Sequence, residues 1–277
     1  MSKINMYVDN FYKNNDLPIL TVITVVRNCV DIIENTILSV INQSYSNIEY
    51  IIIDGNSTDG TKDIIKKYED KISFWTSEAD TGIYDAMNKG ISNANGKFVN
   101  FMNAGDVFIH SNICKLFAEQ ILKKEFNVIY GDVIARSDIN NSEILVKAKP
   151  LNKIWKGMIF CHQSAFIKLS NLKETPFDLK FKIVADLNQI LSLYINSKIF
   201  LYMPIVISKV LIGGVSYSNP KTIIEQIKVI HAYTPYSLNI LNFISPLIIS
   251  AIRALIGIKM TSKIRKYKWK YFKSKIH

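Results

Sequence analysis

Between residues 51 and 106 the chain repeats one pattern three times: an apolar run ends in a cluster of acids and amides. The first block is Ile51-Ile52-Ile53-Asp54-Gly55-Asn56-Ser57-Thr58-Asp59-Gly60-Thr61. The second is Ser77-Glu78-Ala79-Asp80-Thr81-Gly82-Ile83-Tyr84-Asp85-Ala86-Met87-Asn88-Lys89-Gly90. The third is Phe98-Val99-Asn100-Phe101-Met102-Asn103-Ala104-Gly105-Asp106. Short apolar runs bounded by turn residues read as buried strands. In an open parallel sheet such strand ends face one crevice, where ligands bind. The polar ends of the three blocks are therefore expected to line a common site.

The intervening sequence supports that arrangement. Ile19–Val26 and Ile48–Ile53 read as strands. Asp31–Gln43 carries Ile32, Ile33, Ile37, Val40 and Ile41 at helical spacing, and Asp63–Tyr68 lies in a helix that Ser57, Thr58 and Asp59 are suited to cap. Ile72–Thr76 reads as a short strand, Tyr84–Ala94 as a helix and Lys97–Met102 as a central strand. This alternation predicts an α/β domain with a mostly parallel central sheet flanked by helices. Beyond Asp106 the spacing predicts a helix over Asn112–Lys123 and a strand over Asn127–Tyr130. Asp132–Arg136 and Glu143–Lys149 are expected to pair as an antiparallel ribbon, followed by a strand over Gln163–Ile167 and helices over Ala185–Ile195 and Thr222–Ala232.

A chain of 277 residues, 48% hydrophobic and 21% charged, fits one large α/β domain or one with an appendage. Met1–Asp16 is polar and mixed, unlike the charged-then-apolar pattern of a secretory leader. Cys29, Cys114 and Cys161 are odd in number and widely spaced, which fits a reducing compartment better than a disulfide framework or a zinc site. Cys161 beside His162 admits a nucleophile, with a buried free thiol as the alternative. The formal charge is +11, but eight basic residues and no acid fall in Lys259–His277; subtracting them leaves +3 for residues 1–258. Before that tail, Leu238–Ile258 is mostly apolar but interrupted by Asn242, Pro246 and Arg253. An apolar segment followed by interleaved lysines and aromatics points to an anionic membrane surface, and nucleic acid is not expected. The domains expected are a polar segment over 1–17, a catalytic unit over 18–218 divided near Asp106, and a helical, apolar-then-basic, membrane-associating extension over 219–277.

Over roughly residues 18–215 the order and content of these blocks resemble a family 2 glycosyltransferase of the nucleotide-sugar-dependent GT-A fold, in particular the branch that builds bacterial O-antigens and capsules. The resemblance implies a UDP-sugar donor and a divalent cation, Mn2+ or Mg2+. Thr24-Val25-Val26-Arg27-Asn28 looks like the family's first nucleotide loop, which implies donor contacts from Thr24, Val26, Arg27 and Asn28. For Thr24 and Val26, core burial is the alternative. Asp54 ends a strand where a carboxylate can accept hydrogen bonds from uracil N–H or ribose hydroxyls. Asp80, Asn88 and Lys89 match a second donor loop and helix, although Met87 stands where the broader family often carries Arg. Lys89 and Arg27 are the candidate cations, with a solvated Lys89 as the alternative.

The family commonly carries Asp-any-Asp where this chain has Asn103-Ala104-Gly105-Asp106. The resemblance therefore assigns the metal to Asp106 and donor contacts to Asn103 and Ala104. Asp186 resembles the catalytic acid at a helix start, which deprotonates the acceptor hydroxyl in an inverting transfer. Simple helix stabilisation remains the alternative, and Asp178 and Asp132 are the weaker candidates. His162 and Gln163 match an acceptor-side segment, although a lone histidine is more often structural. Gly213-Gly214-Val215-Ser216 is similar to a closing loop.

The implied activity is inverting transfer of a hexose from a UDP-sugar to a lipid-diphosphate-linked glycan, by an enzyme held peripherally on the cytoplasmic face of the bacterial membrane. A non-catalytic nucleotide-sugar or membrane-binding module with the same fold is the alternative. A dinucleotide-dependent oxidoreductase is disfavoured, because Arg27-Asn28-Cys29 follows the first strand where a Gly-x-Gly-x-x-Gly would stand.

Overall fold

The computed structural model describes residues 18–137, 142–211 and 221–233. Strand β1 (Leu20–Val26) is buried along its whole length, as a strand covered on both faces must be. β2 (Ile48–Asp54) runs parallel to it and carries β3 (Phe74–Ser77), also parallel, on its outer edge; β4 (Phe98–Phe101) runs parallel on the other side of β1. The register sets Val26 beside Asp54 and Asp54 beside Ser77, so the polar strand ends emerge along one edge. Helices α1 (Ile33–Ile41), α2 (Thr61–Lys66) and α3 (Ile83–Asn93) make the crossovers. Asp59 holds the start of α2 by accepting hydrogen bonds from the Thr61 N–H (3.0 Å) and the Thr61 hydroxyl (2.6 Å). Ser57, grouped with it as a capping residue, turns to Asp54 instead.

Past β4 the sheet changes character. β5 (Val107–Phe108), α4 (Ile113–Lys123), β6 (Val128–Ser137), β7 (Ser142–Val146), β8 (Ala165–Lys168), α5 (Leu169–Glu174), α6 (Ala185–Ile195), β9 (Phe200–Leu211) and α7 (Lys221–Tyr233) follow in order. The strand order is β3-β2-β1-β4-β8-β6-β9-β5, with β7 alongside β6. β8 is antiparallel to both β4 and β6, β5 is antiparallel to β9, and β6 and β9 are parallel. The sheet is thus mixed. A mostly parallel sheet holds for the first four strands, where strand and helix alternate, and fails beyond them. There β8 enters from a 3-10 turn with no crossover helix before it. The expected ribbon forms, with Val133 opposite Val146 and Ser137 opposite Ser142.

Two segments read as separate strands are one. β6 is continuous through Gly131, and the shift in its pairing with β9 falls there. A Cβ on Gly131 would lie 2.7 Å from the Ile205 carbonyl oxygen and 2.9 Å from that of Met203, so β9 can approach this closely only over glycine. Pro204, which has no N–H to give a ladder, sits in the irregular stretch of β9 opposite. That proline and the weak alternation of Phe200–Leu211 hide β9 from periodicity.

The sheet has a core on each face. Ile23, Ile51, Ile53, Val99 and Phe101 pack with Met87 and Ile91 of α3 and with Leu187 and Ile190 of α6. On the other face Leu20, Val22, Tyr50, Ile52 and Phe98 pack with Ile33 and Ile37 of α1 and Phe117 of α4. Alternate residues of β1 go to opposite faces, as the two-residue period of a strand requires. Val229 and Ile230 of α7 are buried in the same core as α6, so α7 packs against the 18–218 unit although the expected boundary fell at 219. Segments 1–17, 138–141, the Gly213–Ser216 loop and everything from residue 234 onward lie outside the described residues.

Candidate functional site

The ends of β1, β2 and β3 meet in a small polar network. Asn28, in the left-handed region at φ +51, donates its backbone N–H to the Ser57 hydroxyl (2.7 Å) and accepts the Thr58 N–H on its side-chain oxygen (2.9 Å). This ties the first loop to the second. Asp54 is 0% exposed. Its carboxylate accepts the Ser57 N–H (2.9 Å), the Ser57 hydroxyl and the Ser77 hydroxyl (2.6 Å), which stand in for the water that burial removed. Beside it, Gly55 donates its N–H to the Val26 carbonyl (2.8 Å). A Cβ on Gly55 would collide with the Asp80 carboxylate and touch Arg27. Arg27, Gly55 and Asp80 therefore converge, with Arg27 exposed and Asp80 held by the Gly82 N–H (2.9 Å).

Four expected donor contacts are placed otherwise. Thr24 is fully buried, donates to the Met102 carbonyl (2.8 Å) and meets the Tyr50 hydroxyl (3.0 Å), and Val26 packs in the core. Both are packing residues, because β1 is covered on both faces up to its last position. Asn88 spends its whole amide on the backbone of Phe177, donating to the carbonyl and accepting the N–H at 2.9 Å each. It fastens α3 to the segment before α6. Lys89 pairs with Glu78 (2.9 Å) and donates to the Ala79 carbonyl (2.9 Å), which steadies the loop after β3. Arg27 is exposed at these strand ends.

The turn after β4 has a different construction. Ala104 donates its N–H to the Val25 carbonyl (3.3 Å), and Gly105, at φ +95, donates to the Thr36 hydroxyl (2.9 Å). These anchors press Asp106 inward until it is 5% exposed. Asp106 accepts the Leu211 N–H (2.9 Å) and a hydrogen bond from the Gln163 side chain. Burial outweighs both and pushes its carboxyl up to about 7. The Asn103 side-chain oxygen is buried with no hydrogen-bond partner among the described residues. One carboxylate and one orphaned amide oxygen suit a hard cation that takes its remaining oxygens from a bound diphosphate. Among the described residues no cluster of three or more His, Cys, Asp or Glu side chains could hold a metal by itself.

The third part of the site is the 3-10 turn His162–Ser164 with the start of α6. His162 stacks on Phe101 with ring centroids 4.9 Å apart and meets Phe177 edge-on at 5.6 Å. Burial pushes its imidazole below the ordinary value, against the pull of the Asp186 charge. Its Nε2 is buried with no partner among the described residues. Gln163 links Asp106 to the Cys161 thiol, which donates to its side-chain oxygen (2.9 Å). Burial, then the charge of Asp106 and that of Asp186, pushes this thiol up to about 12. This shift, with the hydrogen bond to Gln163, favours the free-thiol alternative over a nucleophile.

Asp186 is half-buried in the first turn of α6 and accepts the Leu187 N–H (2.9 Å). The Tyr84 hydroxyl lies 3.0 Å from Asp186 Oδ1 and 2.8 Å from the Ile183 carbonyl, two acceptors for one proton. Burial, followed by the Asp186 charge, pushes the Tyr84 phenol far above its ordinary value. The two weaker candidates for a base are occupied elsewhere. Asp132 is buried and accepts the Ala148 N–H and the Tyr202 hydroxyl, at 2.9 Å each. Asp178 closes a turn by accepting the Lys180 N–H (3.0 Å).

Sequence reasoning missed Tyr84, Ser57 and Ser77 as parts of the site. Tyr84 shares the buried face of α3 with Met87 and Ile91, so its pattern is that of a core residue.

Residues 21–179 match the family model of glycosyl transferase family 2. The PGL/p-HBAD biosynthesis glycosyltransferase of Mycobacterium bovis is 29% identical over 175 residues, 61% of this chain and 64% of the relative. The chain thus spans just under two thirds of that relative's length. Residues 1–349 of Staphylococcus aureus TarS, in complex with UDP-GlcNAc, superimpose with a TM-score of 0.64 at 17% identity, covering 83% of this chain and 71% of that TarS fragment. The Pyrobaculum calidifontis mannosyltransferase PcManGT, in complex with GDP-Man and Mn2+, superimposes with a TM-score of 0.60 at 13% identity, over 97% of this chain and 87% of that one. At these identities the structural matches establish a shared fold.

Proposed function

The chain belongs to glycosyl transferase family 2, and from that premise we propose that it moves a hexose, with inversion, from a UDP-sugar to a lipid-diphosphate-linked glycan in the synthesis of a bacterial O-antigen or capsule. The observation that carries this reading is the gathering of two carboxylates around one turn. Gln163 hydrogen-bonds Asp106, and the adjoining His162 packs on Phe177, which packs on the ring of Tyr84, whose hydroxyl reaches Asp186. One carboxylate is buried beside an orphaned amide oxygen; the other is half-exposed at a helix start.

The chemistry divides between them. Asp106 and Asn103 would hold a divalent cation, Mn2+ or Mg2+, whose charge would offset that of the departing diphosphate. Asp186 takes the proton of the acceptor hydroxyl as that oxygen bonds to the anomeric carbon, while the bond from that carbon to the diphosphate oxygen breaks and UDP leaves. Tyr84 holds Asp186 Oδ1 in place during the attack. Asp54 and the Asn28 loop shape the nucleoside end, Arg27 and Asp80 lie beside it, and His162 and Gln163 face the acceptor. Support for a UDP-linked donor comes from TarS, which carries UDP-GlcNAc on the same fold. Support for a cation comes from PcManGT, which carries Mn2+.

Attachment to the cytoplasmic membrane face is assigned to the segment from Leu238 onward, where each of the eight terminal basic residues would contribute about 1 kcal/mol near an anionic surface. Among the described residues no helix is long and apolar enough to cross a membrane.

The test is a screen of UDP-sugars against lipid-diphosphate acceptors with Mn2+, reading UDP release and the anomeric configuration of the product. Turnover with an inverted linkage is expected. Asp106→Ala should remove the metal-dependent part of UDP binding measured by calorimetry. If UDP and Mn2+ bind but no sugar is transferred to any acceptor, the non-catalytic binding module replaces the transferase.

A further inference from the structure

Glu225 is the single acidic residue on the C-terminal side of Asp186 in the whole sequence. It stands on α7, and its carboxylate points into the loop that leads to Asp186. One oxygen accepts the Lys182 N–H (3.2 Å), and the other accepts those of Ile183 (2.9 Å) and Val184 (3.3 Å). Three successive backbone donors on one carboxylate form a charge-assisted clamp. The location matters, because Val184 precedes α6 and offers no side-chain cap of its own. The Ile183 carbonyl on the other side of the clamped peptide accepts from Tyr84, which also reaches Asp186. Glu225, the 182–184 loop, Tyr84 and Asp186 are thus consecutive links of one hydrogen-bonded chain.

We propose that Glu225 is a positioning residue for Asp186: by gathering the Lys182, Ile183 and Val184 N–H groups, it fixes the angle at which α6 presents the base to the acceptor hydroxyl. This rests on the reading of Asp186 as that base. The donors of the clamp are backbone N–H groups. Without the carboxylate the three N–H groups turn to water, and the start of α6 is free to shift. A displacement of about 1 Å at a reacting group costs on the order of 100-fold in rate. Asp54 and Asp106, in the proposed donor half, are hydrogen-bonded among the described residues by Ser57 and Ser77 and by Leu211 and Gln163, none of them part of the Glu225 clamp. Glu225 also makes α7 a working part of the site, since the catalytic loop is held by a helix that falls, by sequence pattern, in the extension.

The experiment compares Glu225→Gln and Glu225→Ala with Asp186→Asn in the full-length protein. Glu225→Gln keeps the volume of the side chain but turns one of its two acceptor oxygens into a donor that faces N–H groups. The expected result is a roughly 10- to 100-fold loss of kcat in both Glu225 variants, with UDP affinity by calorimetry within about twofold of the parent. Hydrogen exchange at 182–184 should rise while that of α3 is unchanged. Adding Tyr84→Phe to Glu225→Gln should cost less than the product of the two single effects, because both act through one loop. Normal kcat in either Glu225 variant, with Asp186→Asn impaired, overturns the inference alone. Normal kcat in Asp186→Asn overturns the reading beneath it. If Glu225→Gln loses UDP affinity and global protection together with kcat, Glu225 supports the fold rather than the base, and the inference fails.

Discussion

Asp54 and Asp106 are buried carboxylates on opposite sides of β1, and they are held in different ways. Asp54 is satisfied by Ser57 and Ser77, three and 23 residues away, through hydroxyls that the neighbouring loops bring with them. Asp106 is held by Gln163 and by the N–H of Leu211, 105 residues away. The same division separates the rest of the molecule. The proposed nucleoside end is built from successive strand-helix units, and its loops bring partners for Asp54 and Asn28 with them. The proposed metal and acceptor end is assembled from strands and helices that meet only after the chain has turned back across the sheet. Local construction satisfies Asp54 and the Asn28 side-chain oxygen. Long-range construction leaves some exposed to cost, as with Asp106, Asn103 Oδ1 and His162 Nε2, and those are the atoms with capacity left for ligands.

The strongest way to break this comparison is at Asp186. Asp186→Asn keeps the shape of the side chain and loses its basicity, so turnover should fall roughly 10²- to 10⁴-fold while UDP affinity stays near that of the parent. Near-normal turnover in a folded variant would make Asp186 a helix-stabilising residue and remove the functional half of the contrast.

The next largest effect tests the cost of burying Asp106. Its carboxyl is raised from 3.8 to about 7 in the folded protein. Stability from the neutral form is therefore complete below the unfolded value and lost as pH rises through about 7. In chelator, Asp106→Asn should match the parent near pH 4 and exceed it above pH 7. The gap should be on the order of a few kcal/mol, since each tenfold change in proton affinity is worth about 1.4 kcal/mol. Melting temperatures across that range read the difference, and parallel curves for the two proteins would show that Asp106 carries no such cost.

Gly131→Ala probes the long-range assembly. The new Cβ meets carbonyl oxygens of Met203 and Ile205 in β9, and forcing the strands apart should cost about 1–3 kcal/mol. Because β9 delivers the Leu211 N–H to Asp106, metal-dependent UDP binding should weaken as well. Destabilisation without any change in that binding would uncouple β9 from the metal site.

The smallest effect sharpens the boundary between the two regions. Asn88→Ala removes two hydrogen bonds to Phe177 and should lower stability by about 1–3 kcal/mol. Phe177 packs on His162, so the Michaelis constant for the acceptor should rise a few-fold while that for the donor is unchanged. A donor-specific effect would return Asn88 to the nucleotide side.

How much of this was legible depended on distance along the chain. The first four strands, their helices and the polar ends at Asp54, Asp80 and Asp106 could be read from the sequence, because a two-residue or 3.6-residue period and the turn that ends it are contained within one short window. Glycosyl transferase family 2 was legible for the same reason, since its blocks are strand ends with their loops. The mixed second half of the sheet was not. β9 carries a proline and weak alternation, and only its pairing with β6 over Gly131 makes it a strand. The roles of Thr24, Asn88 and Lys89 were equally out of reach, because a threonine, an amide or a lysine carries no mark of whether its partner is a ligand or a peptide group. That was decided by Met102, Phe177 and Glu78 arriving beside them. Tyr84 and Glu225 show the limit most plainly: one looks like a core residue and the other like a surface acid, and both belong to the Asp186 loop because a hydrogen bond is satisfied by whatever the fold brings within about 3 Å, however far away in sequence it lies.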